Sequence, residues 1–199
     1  VYQASTSELF GSALPKQNEE TPMIPNSPYG AAKLLAHNMC RIYREGYGMF
    51  VSCGILFNHE SERRGLNFVT RKITSNVAKI KKGKLDRFSL GNLQARRDWG
   101  YAPEYVECMW RILQQPKPDD FVVATGEAHT IEEFVEAAFK EAGLGKWSDF
   151  VIIDSKLYRA KEVGYLCGDA TKAKEKLGWE AKTKFKDLVK IMVAYDLKE

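Results

Sequence analysis

Short apolar runs alternate with stripes of apolar residues at helical spacing along the chain, and this alternation predicts an α/β fold. The runs are bounded by glycine or polar residues, as is typical of buried parallel strands. The stripes repeat every three or four residues, as in amphipathic helices. The predicted strands are residues 1–6, 50–57, 86–90, 121–125 and 151–153. The predicted helices begin at Pro28, Asn67 and Pro103 and after the candidate caps Thr130, Asp169 and Thr183.

The first of these helices carries both a start and a stop signal. Ser27 is a candidate N-cap, Pro28 suits the first helical position, and Gly46 is the predicted end. The predicted apolar side of this helix consists of Leu34, Leu35, Met39 and Ile42. For the helix that begins at Pro103, the side predicted to face inward consists of Val106, Met109, Trp110 and Leu113.

Strand, helix and strand follow one another over residues 1–57, which predicts half of a doubly wound parallel sheet. In such sheets, ligands bind beyond the carboxyl ends of the strands. The loops 11–27 and 58–65 follow two predicted strands, so we expect both at that edge. A plain surface connection is an equally good interpretation of the first loop. After about residue 60 we expect a smaller mixed α/β lobe beside the sheet.

Composition and charge limit the possible partners. The chain has 199 residues, 44% of them hydrophobic, and a net charge of +4 with its charges mixed along the sequence. This favours an anionic ligand weakly and predicts no nucleic-acid partner. No apolar run reaches the length of a membrane span and no signal peptide is recognisable, so we predict a soluble, cytoplasmic protein. The cysteines are too widely spaced to suggest a metal site or a disulfide framework; they are Cys40, Cys53, Cys108 and Cys167.

Tyr29 and Lys33 are the strongest candidates for chemistry. They are four residues apart at the start of a predicted helix, so both side chains leave the same face. A nearby ammonium lowers the pKa of a phenol, which makes tyrosine usable as a base near neutral pH. Glu8, at the end of the first predicted strand, is a candidate second base. Thr6 and Ser7 are candidate hydrogen-bonding hydroxyls, although capping of the local backbone is the alternative role.

A Tyr-x-x-x-Lys pair after a strand that ends in Thr-Ser-Glu resembles the extended short-chain dehydrogenase/reductase family. The stretch Tyr2 to Gly11 narrows the resemblance to its GDP-mannose 4,6-dehydratase branch. Within the family, 4-epimerases lack an acid at the position of Glu8, and the 4,6-dehydratases carry Thr-x-Glu there. The dTDP-glucose dehydratases have aspartate where this chain has Ser7, which favours the GDP-mannose branch.

The resemblance implies an activity, the dehydration of GDP-mannose to GDP-4-keto-6-deoxymannose, with NADP as cofactor. By this resemblance, Tyr29 deprotonates the C4 hydroxyl as hydride leaves for NADP⁺, and Lys33 holds the nicotinamide ribose. Glu8 then removes the C5 proton, and water leaves C6 with help from Thr6 or Ser7. The stored hydride finally returns to C6. A 4-epimerase or 4-reductase acting on a GDP sugar remains an alternative, as does a non-catalytic GDP-sugar-binding fragment.

The same resemblance implies binding residues downstream. For the cofactor these are Tyr29, Lys33, His59 and Arg64. For the GDP sugar they are Asn58, Asn67, Val69, Lys72, Arg97, Arg159 and Glu162, of which Arg97 meets the diphosphate. This chain has Ala160 where the family pattern has proline, which loosens a turn and removes no ligand group.

The glycine-rich G-x-G-x-x-G motif is missing from the sequence, which opens at Val1 inside a predicted strand. We therefore predict a C-terminal portion that lacks the glycine-rich dinucleotide-binding half. Residues 1–66 are the predicted end of an NADP-binding Rossmann-type domain with the catalytic residues. Residues 67–199 form mainly the GDP-sugar-binding lobe, with some segments returning to the first sheet. We expect the chain alone to be inactive and to bind NADP poorly, and the resemblance implies a homodimer or homotetramer.

Overall fold

A computed structural model describes residues 1–14, 16–158 and 163–199 and confirms the predicted α/β class. The strands are β1 (Tyr2–Thr6), β2 (Ser52–Leu56), β3 (Asn58–Glu60), β4 (Phe88–Leu90), β5 (Arg96–Tyr101), β6 (Asp120–Val123), β7 (Ala128–Thr130) and β8 (Val151–Ile153). The α-helices are α1 (Pro28–Tyr47), α2 (Val69–Lys81), α3 (Ala102–Leu113), α4 (Ile131–Glu141), α5 (Thr171–Leu177) and α6 (Phe185–Lys198). Single 3₁₀ turns span Ser7–Phe10, Trp147–Asp149 and Ser155–Leu157.

The first sheet is parallel, with the strand order β1-β2-β6. Because side chains alternate across a strand, β2 and β6 send apolar residues to both faces. Ile55 and Val122 pack on one side with the 3₁₀ turn after β1, while Leu56 and Val123 pack on the other with α3 and α5. This arrangement, with β1 at the edge, agrees with the predicted doubly wound sheet.

A second apolar core lies between α2, α4 and α6, beside two small sheets. One sheet has the order β3-β5-β7, in which β3 and β5 are parallel and β7 is antiparallel to β5. The other pairs β4 with β8 in parallel. Large buried side chains of this core include Ile73, Phe134, Phe139 and Leu188. The predicted mixed lobe is therefore present, and β6 is a segment that returns from it to the first sheet.

Three strands differ from the sequence-based expectations. Residues 58–60 were expected in a loop and form β3, whereas β5 and β7 were not among the predicted strands. These strands are short or carry polar residues, so alternation of apolar residues does not mark them. Asp98 illustrates what stabilises β5, because its buried carboxylate accepts hydrogen bonds from residues far away in the sequence.

The first turn of α1 matches its prediction, and the last turn does not. Ser27 caps the helix, with its Oγ accepting from the Gly30 amide at 3.0 Å, and Pro28 occupies the first turn. The helix continues through Gly46 and ends at Gly48, which adopts a left-handed conformation with φ of 63°. Glycine adopts that conformation at little cost, so either Gly46 or Gly48 could end the helix by residue type, and the left-handed φ shows that Gly48 does.

Of the apolar side predicted for α1, Leu34 packs against the core beside the first sheet, and the other three residues are exposed. Leu35 is 66% exposed, and Met39 and Ile42 are also exposed, whereas His37 faces the sheet and is buried. A similar correction applies to α3, where Met109 packs against the core but Val106, Trp110 and Leu113 are exposed. The side of α3 that faces the first sheet carries Tyr105, Cys108 and Ile112 instead. Helical spacing defines a stripe, but it does not say which surface covers that stripe.

The predicted caps of the later helices had different outcomes. Thr130 forms the predicted capping box with Glu133 through two hydrogen bonds of 3.0 Å. Thr183 does not cap α6, because its amide and hydroxyl both donate to the carboxylate of Glu104. Asp169 accepts from the amide of Thr171, the first residue of α5, but the N-cap position of that helix is Ala170, so the predicted cap lies one residue too early. Of the helices in the described ranges, none has the length and apolarity that crossing a membrane would require.

Candidate functional site

The Thr6-Ser7-Glu8 segment turns sharply at the carboxyl end of β1. The strand ends at Thr6, and Glu8 lies in the 3₁₀ turn Ser7–Phe10 rather than at the end of the strand. The Thr6 hydroxyl accepts from the Glu8 amide at 3.3 Å, which is the local capping considered above. A hydroxyl that accepts one hydrogen bond still has its own proton to donate. Capping and a role towards a ligand are therefore compatible for Thr6.

The first turn of α1 packs directly on this 3₁₀ turn. Gly30 permits the close approach, because a Cβ atom there would lie 2.9 Å from the carbonyl oxygen of Glu8 and from Pro25. Tyr29, the preceding residue, is 55% exposed. The packing therefore places an accessible phenol beside the turn that carries Glu8.

Lys33 lies one helical turn after Tyr29, on the face of α1 that meets β1. Its Nζ donates to the backbone carbonyl of Ala4 at 2.8 Å and lies 5.8 Å from the centroid of the Tyr29 ring. The four-residue spacing thus brings the ammonium and the phenol to one face, as predicted. The bond to Ala4 also ties the helix to the edge strand, which restricts where the ammonium can lie.

His37 continues this face by one more turn and was missed by the sequence-based analysis. Its Nδ1 lies 2.9 Å from the hydroxyl of Ser5 in β1, and its Nε2 lies 3.7 Å from a carboxylate oxygen of Asp120 in β6. Arg44 forms a short ion pair with the same carboxylate. Burial lowers the pKa of His37, and the charge of Asp120 opposes that shift. The spacing from Lys33 to His37 was the available signal.

Replacing His37 with Gln is expected to reduce the loss in the free energy of unfolding that occurs when the pH falls below neutral. The pKa of His37 in the folded chain lies below its ordinary value near 6.5, so the unfolded chain binds more protons just below that pH. The stability that neutral His37 contributes is therefore present above pH of about 6.5 and is lost as the pH falls towards the folded-state pKa. Urea unfolding at about pH 7.5 and about pH 5.5 measures the difference.

The matched control is His129→Gln, since His129 stacks on Phe185 and pairs with Glu133 away from the first sheet. That variant shows how much of the change in the pH difference follows from substituting a histidine outside the first sheet. Burial raises the pKa of Glu60 and of Asp98, which acts in the opposite direction, so only the comparison between variants is diagnostic. An unchanged pH difference in His37→Gln would exclude this role for His37.

The segment after β2 positions the next group of predicted residues. Asn58 and His59 begin β3 and pair with Trp99 and Gly100 of β5. The Nδ1 of His59 lies 2.9 Å from the carbonyl oxygen of Phe57, which can only accept, so we assign the proton to Nδ1. Neutral His59 therefore has Nε2 as an acceptor, and its ring stacks on Tyr105 with centroids 5.2 Å apart.

Arg64 lies in the loop between β3 and α2. The central carbon of its guanidinium lies 3.6 Å from the centroid of the Phe68 ring, and its Nε lies 3.2 Å from a carboxylate oxygen of Glu60. Glu60 is buried and also accepts a short hydrogen bond from the Thr70 hydroxyl. Glu60, for which the sequence predicted no role, orients Arg64.

The predicted contacts to the GDP sugar are spread along the lobe. Asn67 is exposed just before α2, which begins at Val69, two residues later than predicted. Lys72 is half-buried one turn into that helix. Arg97 is mostly buried in β5, where its Nη1 donates to the carbonyl of Arg96 at 2.8 Å. The remaining two predictions, Arg159 and Glu162, lie outside the described residues.

A cavity of about 230 Å³ lies elsewhere, between the end of β6 and the start of α5. Its walls include Lys16, Thr125, Gly168, Thr171 and Trp179, and none of the predicted site residues within the described ranges lines it. Of those residues, Thr6, Ser7, Glu8 and Asn58 lie at or just beyond the carboxyl ends of β1 and β2, whereas the predicted GDP-sugar contacts on α2 and β5 lie in the lobe. Over the ranges that the structure describes, no three His, Cys, Asp or Glu side chains form a group suited to a metal ion.

The sequence as a whole decides the family. A family model described as GDP-mannose 4,6 dehydratase matches residues 1–192. This chain belongs to the GDP-mannose 4,6-dehydratase family. It is 57% identical over 196 residues to GDP-mannose 4,6 dehydratase 2 of Arabidopsis thaliana and 51% identical over 214 residues to GDP-mannose 4,6 dehydratase of Homo sapiens. Each match covers 98% of the chain, but only 52% and 57% of the relatives, so the chain spans about half of their length.

Solved structures support the predicted Rossmann-type fold. RMD from Pseudomonas aeruginosa, solved with NADPH, matches with a TM-score of 0.89 at 20% identity, covering 99% of this chain and 66% of RMD. The dTDP-glucose 4,6-dehydratase of Bacillus anthracis, solved with NAD, matches with a TM-score of 0.85 at 23% identity, covering 99% of this chain and 61% of that protein. The GDP-mannose 4,6-dehydratase resemblance seen in the sequence is thus confirmed by the relatives, and the fold by these structures.

Proposed function

We propose that this chain forms the sugar-nucleotide-handling half of an enzyme that dehydrates GDP-mannose to GDP-4-keto-6-deoxymannose with NADP as cofactor. One observation supports this more than any other. The 3₁₀ turn with Glu8 packs against the start of α1, which carries Tyr29 and, one turn later, Lys33, in a chain of the GDP-mannose 4,6-dehydratase family. Two candidate bases on elements that pack together suit a reaction that removes protons from two neighbouring positions of one substrate.

In the proposed reaction, Tyr29 removes the proton of the C4 hydroxyl. Its exposed phenol is accessible to a substrate, and the ammonium of Lys33 lies on the same helical face, 5.8 Å from the centroid of the Tyr29 ring. The carbonyl of Ala4 holds the ammonium of Lys33 in one place. From that fixed position the ammonium is proposed to hold the nicotinamide ribose as well. NADP, when bound, accepts a hydride from C4 and returns it to C6.

Glu8 removes the C5 proton once C4 is a ketone, because a neighbouring carbonyl makes that proton acidic. Its position in a 3₁₀ turn, next to the helix with Tyr29, supports this assignment. The hydroxyl of Thr6 or Ser7 donates a hydrogen bond to the C6 oxygen, which leaves as water with the proton that Glu8 took from C5. Ser7 is buried, and Thr6 is nearly so, which limits competing contacts with solvent.

The residues near the sheet edge fit a nicotinamide cofactor in two respects. His59 offers an acceptor nitrogen, and Arg64 offers a cation held flat by Phe68. We propose NADP rather than NAD for this chain, with Tyr29, Lys33, His59 and Arg64 as its contacts. Of the two solved structures with a similar fold, one contains NADPH and the other NAD, so the fold does not distinguish the two cofactors. The proposal of NADP follows from the family resemblance.

The GDP sugar is proposed to lie between the edge of the first sheet and the lobe. Asn58 contacts the sugar, Arg97 the diphosphate, and the segment at the start of α2 the GDP portion, where the contacts are Asn67, Val69 and Lys72. A guanidinium in strand β5 suits an anion because its planar donors can bind two oxygens at once. Arg159 and Glu162 complete the proposed set, on the guanosine side.

Domain division, assembly and location are proposed on separate grounds. We assign residues 1–66 to the NADP-binding domain and 67–199 mainly to the GDP-sugar lobe. The return of β6 to the first sheet fits that division.

The exposed apolar residues of α1 support a homodimer or homotetramer, since contiguous exposed apolar residues are typical of contact surfaces. We propose the cytoplasm as its location.

The function is tested with a chimera in which the N-terminal part of the Arabidopsis thaliana relative precedes Val1. Incubated with GDP-mannose, this chimera is expected to give a product with a C6 methyl group and a C4 ketone, detectable by NMR. A product that keeps its C6 hydroxyl, as from a 4-epimerase, would contradict the proposal. A chimera that carries the corresponding C-terminal half of the relative itself is the positive control.

A further inference from the structure

The segment Ser61–Phe68, here called the 61–68 loop, joins β3 to α2 and carries Arg64 and Asn67. Its own hydrogen bonds are short-range, such as those from the Arg64 amide to Ser61 and from the Phe68 amide to Gly65, both at 3.0 Å. Most of its side chains are half-exposed or fully exposed. A loop of this kind depends on contacts from outside to hold one conformation.

Arg71, in the first turn of α2, supplies such a contact. Its Nη1 donates to the backbone carbonyl of Glu62 in a short hydrogen bond and to that of Arg64 at 3.2 Å. Both carbonyls belong to the 61–68 loop. One buried guanidinium group therefore binds the backbone carbonyls on both sides of Arg63.

Asp196, in the last turn of α6, orients the other side of the guanidinium. Its carboxylate accepts from the Nε of Arg71 at 2.9 and 3.0 Å and lies 2.7 Å from Nη2. Asp196 and Arg71 are both buried, and a buried cation is strongly destabilised when its partner is removed. The Tyr195 ring lies 5.2 Å from the guanidinium carbon, and Glu199 lies 3.4 Å from Nη2 but is mostly exposed.

We propose that Asp196 is a positioning residue for the ligand site, because it holds Arg71 in the orientation that fixes the 61–68 loop. Arg64 and Asn67 are thereby presented to a nucleoside diphosphate ligand. A residue of the C-terminal helix then controls binding at this loop through Arg71, which lies 125 positions away from it in the sequence. The identity of the ligand rests on the proposed function, whereas the control of the loop does not.

Limited trypsin digestion of the 199-residue chain tests the loop directly, since Arg63 and Arg64 are cleavage sites inside it. In Asp196→Asn, cleavage after Arg63 and Arg64 is expected to be about tenfold faster, because the amide cannot replace both carboxylate oxygens and the loop opens more often. Mass spectrometry identifies the sites. Cleavage spread over many lysines and arginines would indicate global unfolding and overturn the proposal.

Three further variants make this test specific. Asp187→Asn makes the same change on an exposed residue of α6 and is expected to leave the cleavage rate unchanged. Glu199→Gln removes the more distant, exposed acid and is expected to change the rate less than about twofold. Asp196→Glu keeps the buried charge paired and is expected to give a smaller increase, of about threefold, at the same two sites. Wild-type rates in both Asp196 variants would overturn the proposal.

Titration with GDP by calorimetry tests the ligand part. Asp196→Asn is expected to bind GDP about tenfold more weakly at a temperature where circular dichroism shows it folded, because fewer molecules have the competent loop. A purely structural role would lower the melting temperature and leave the affinity unchanged. If the wild-type chain binds no GDP, the assignment of the ligand fails, while the trypsin result still decides whether Asp196 controls the loop.

Discussion

Tyr29→Phe is expected to lower the turnover of GDP-mannose by the chimera about 10²- to 10⁴-fold, the usual range for loss of a general base. Phenylalanine keeps the ring, and with it the packing at the start of α1, but has no oxygen to take the C4 proton. Tyr29 is exposed, so the change is not expected to disturb the fold. The rate of formation of the C4 ketone product, followed by NMR or chromatography, measures the effect.

The matched control is Tyr43→Phe on the same helix. Tyr43 is also exposed and contacts Tyr47, with ring centroids 5.2 Å apart, and it lies almost four turns from Tyr29. The control is expected to retain turnover within about twofold, since exposed substitutions away from a site have small effects. Equal turnover in Tyr29→Phe and wild type would remove Tyr29 from the mechanism.

Glu8→Gln is expected to lower the rate of dehydration about 10²- to 10⁴-fold, as Tyr29→Phe does. The two variants are expected to differ in deuterium incorporation at C5. Glutamine has nearly the same shape and cannot accept a proton, so the C5–H bond stays intact although Tyr29 remains competent at C4. In deuterated water the variant is expected to incorporate no deuterium at C5 of recovered substrate or product. Mass spectrometry of the sugar nucleotide detects this.

Glu20→Gln is the control for this experiment, because Glu20 is an exposed acid in the loop that leads to α1. It is expected to incorporate deuterium and turn over like wild type. Deuterium at C5 in Glu8→Gln would show that another group removes that proton. Loss of turnover in both acid variants would point instead to a disturbed loop.

Much of the candidate site was predictable because it rests on local rules. The spacing of Tyr29 and Lys33 places both on one helical face whatever surrounds the helix, and the structure has them there. The cap at Ser27 and the capping box at Thr130 are likewise local, and both are present. Their hydrogen bonds form between residues three apart, so the sequence window that predicts them contains all of the partners.

Other features depended on partners that are distant in the sequence. Thr183 is a suitable cap by type, but Glu104 binds its amide and hydroxyl instead. His37 and Arg71 look like ordinary helix residues until β1, β6 and α6 bring Ser5, Asp120 and Asp196 next to them. No local pattern distinguishes a buried charged residue with a partner from an exposed one.

The sequence by itself determined the α/β class, the family and the pair of candidate bases, because these depend on periodicity, motif strings and spacing. Only the tertiary structure decided that Glu8 lies in a 3₁₀ turn, that most of the predicted apolar sides of α1 and α3 remains exposed, and that Asp196 holds the 61–68 loop through Arg71. The physical reason is the range of the interactions. Helical spacing is set within one or two turns, whereas burial and ion pairing are set by whichever surface the fold brings near.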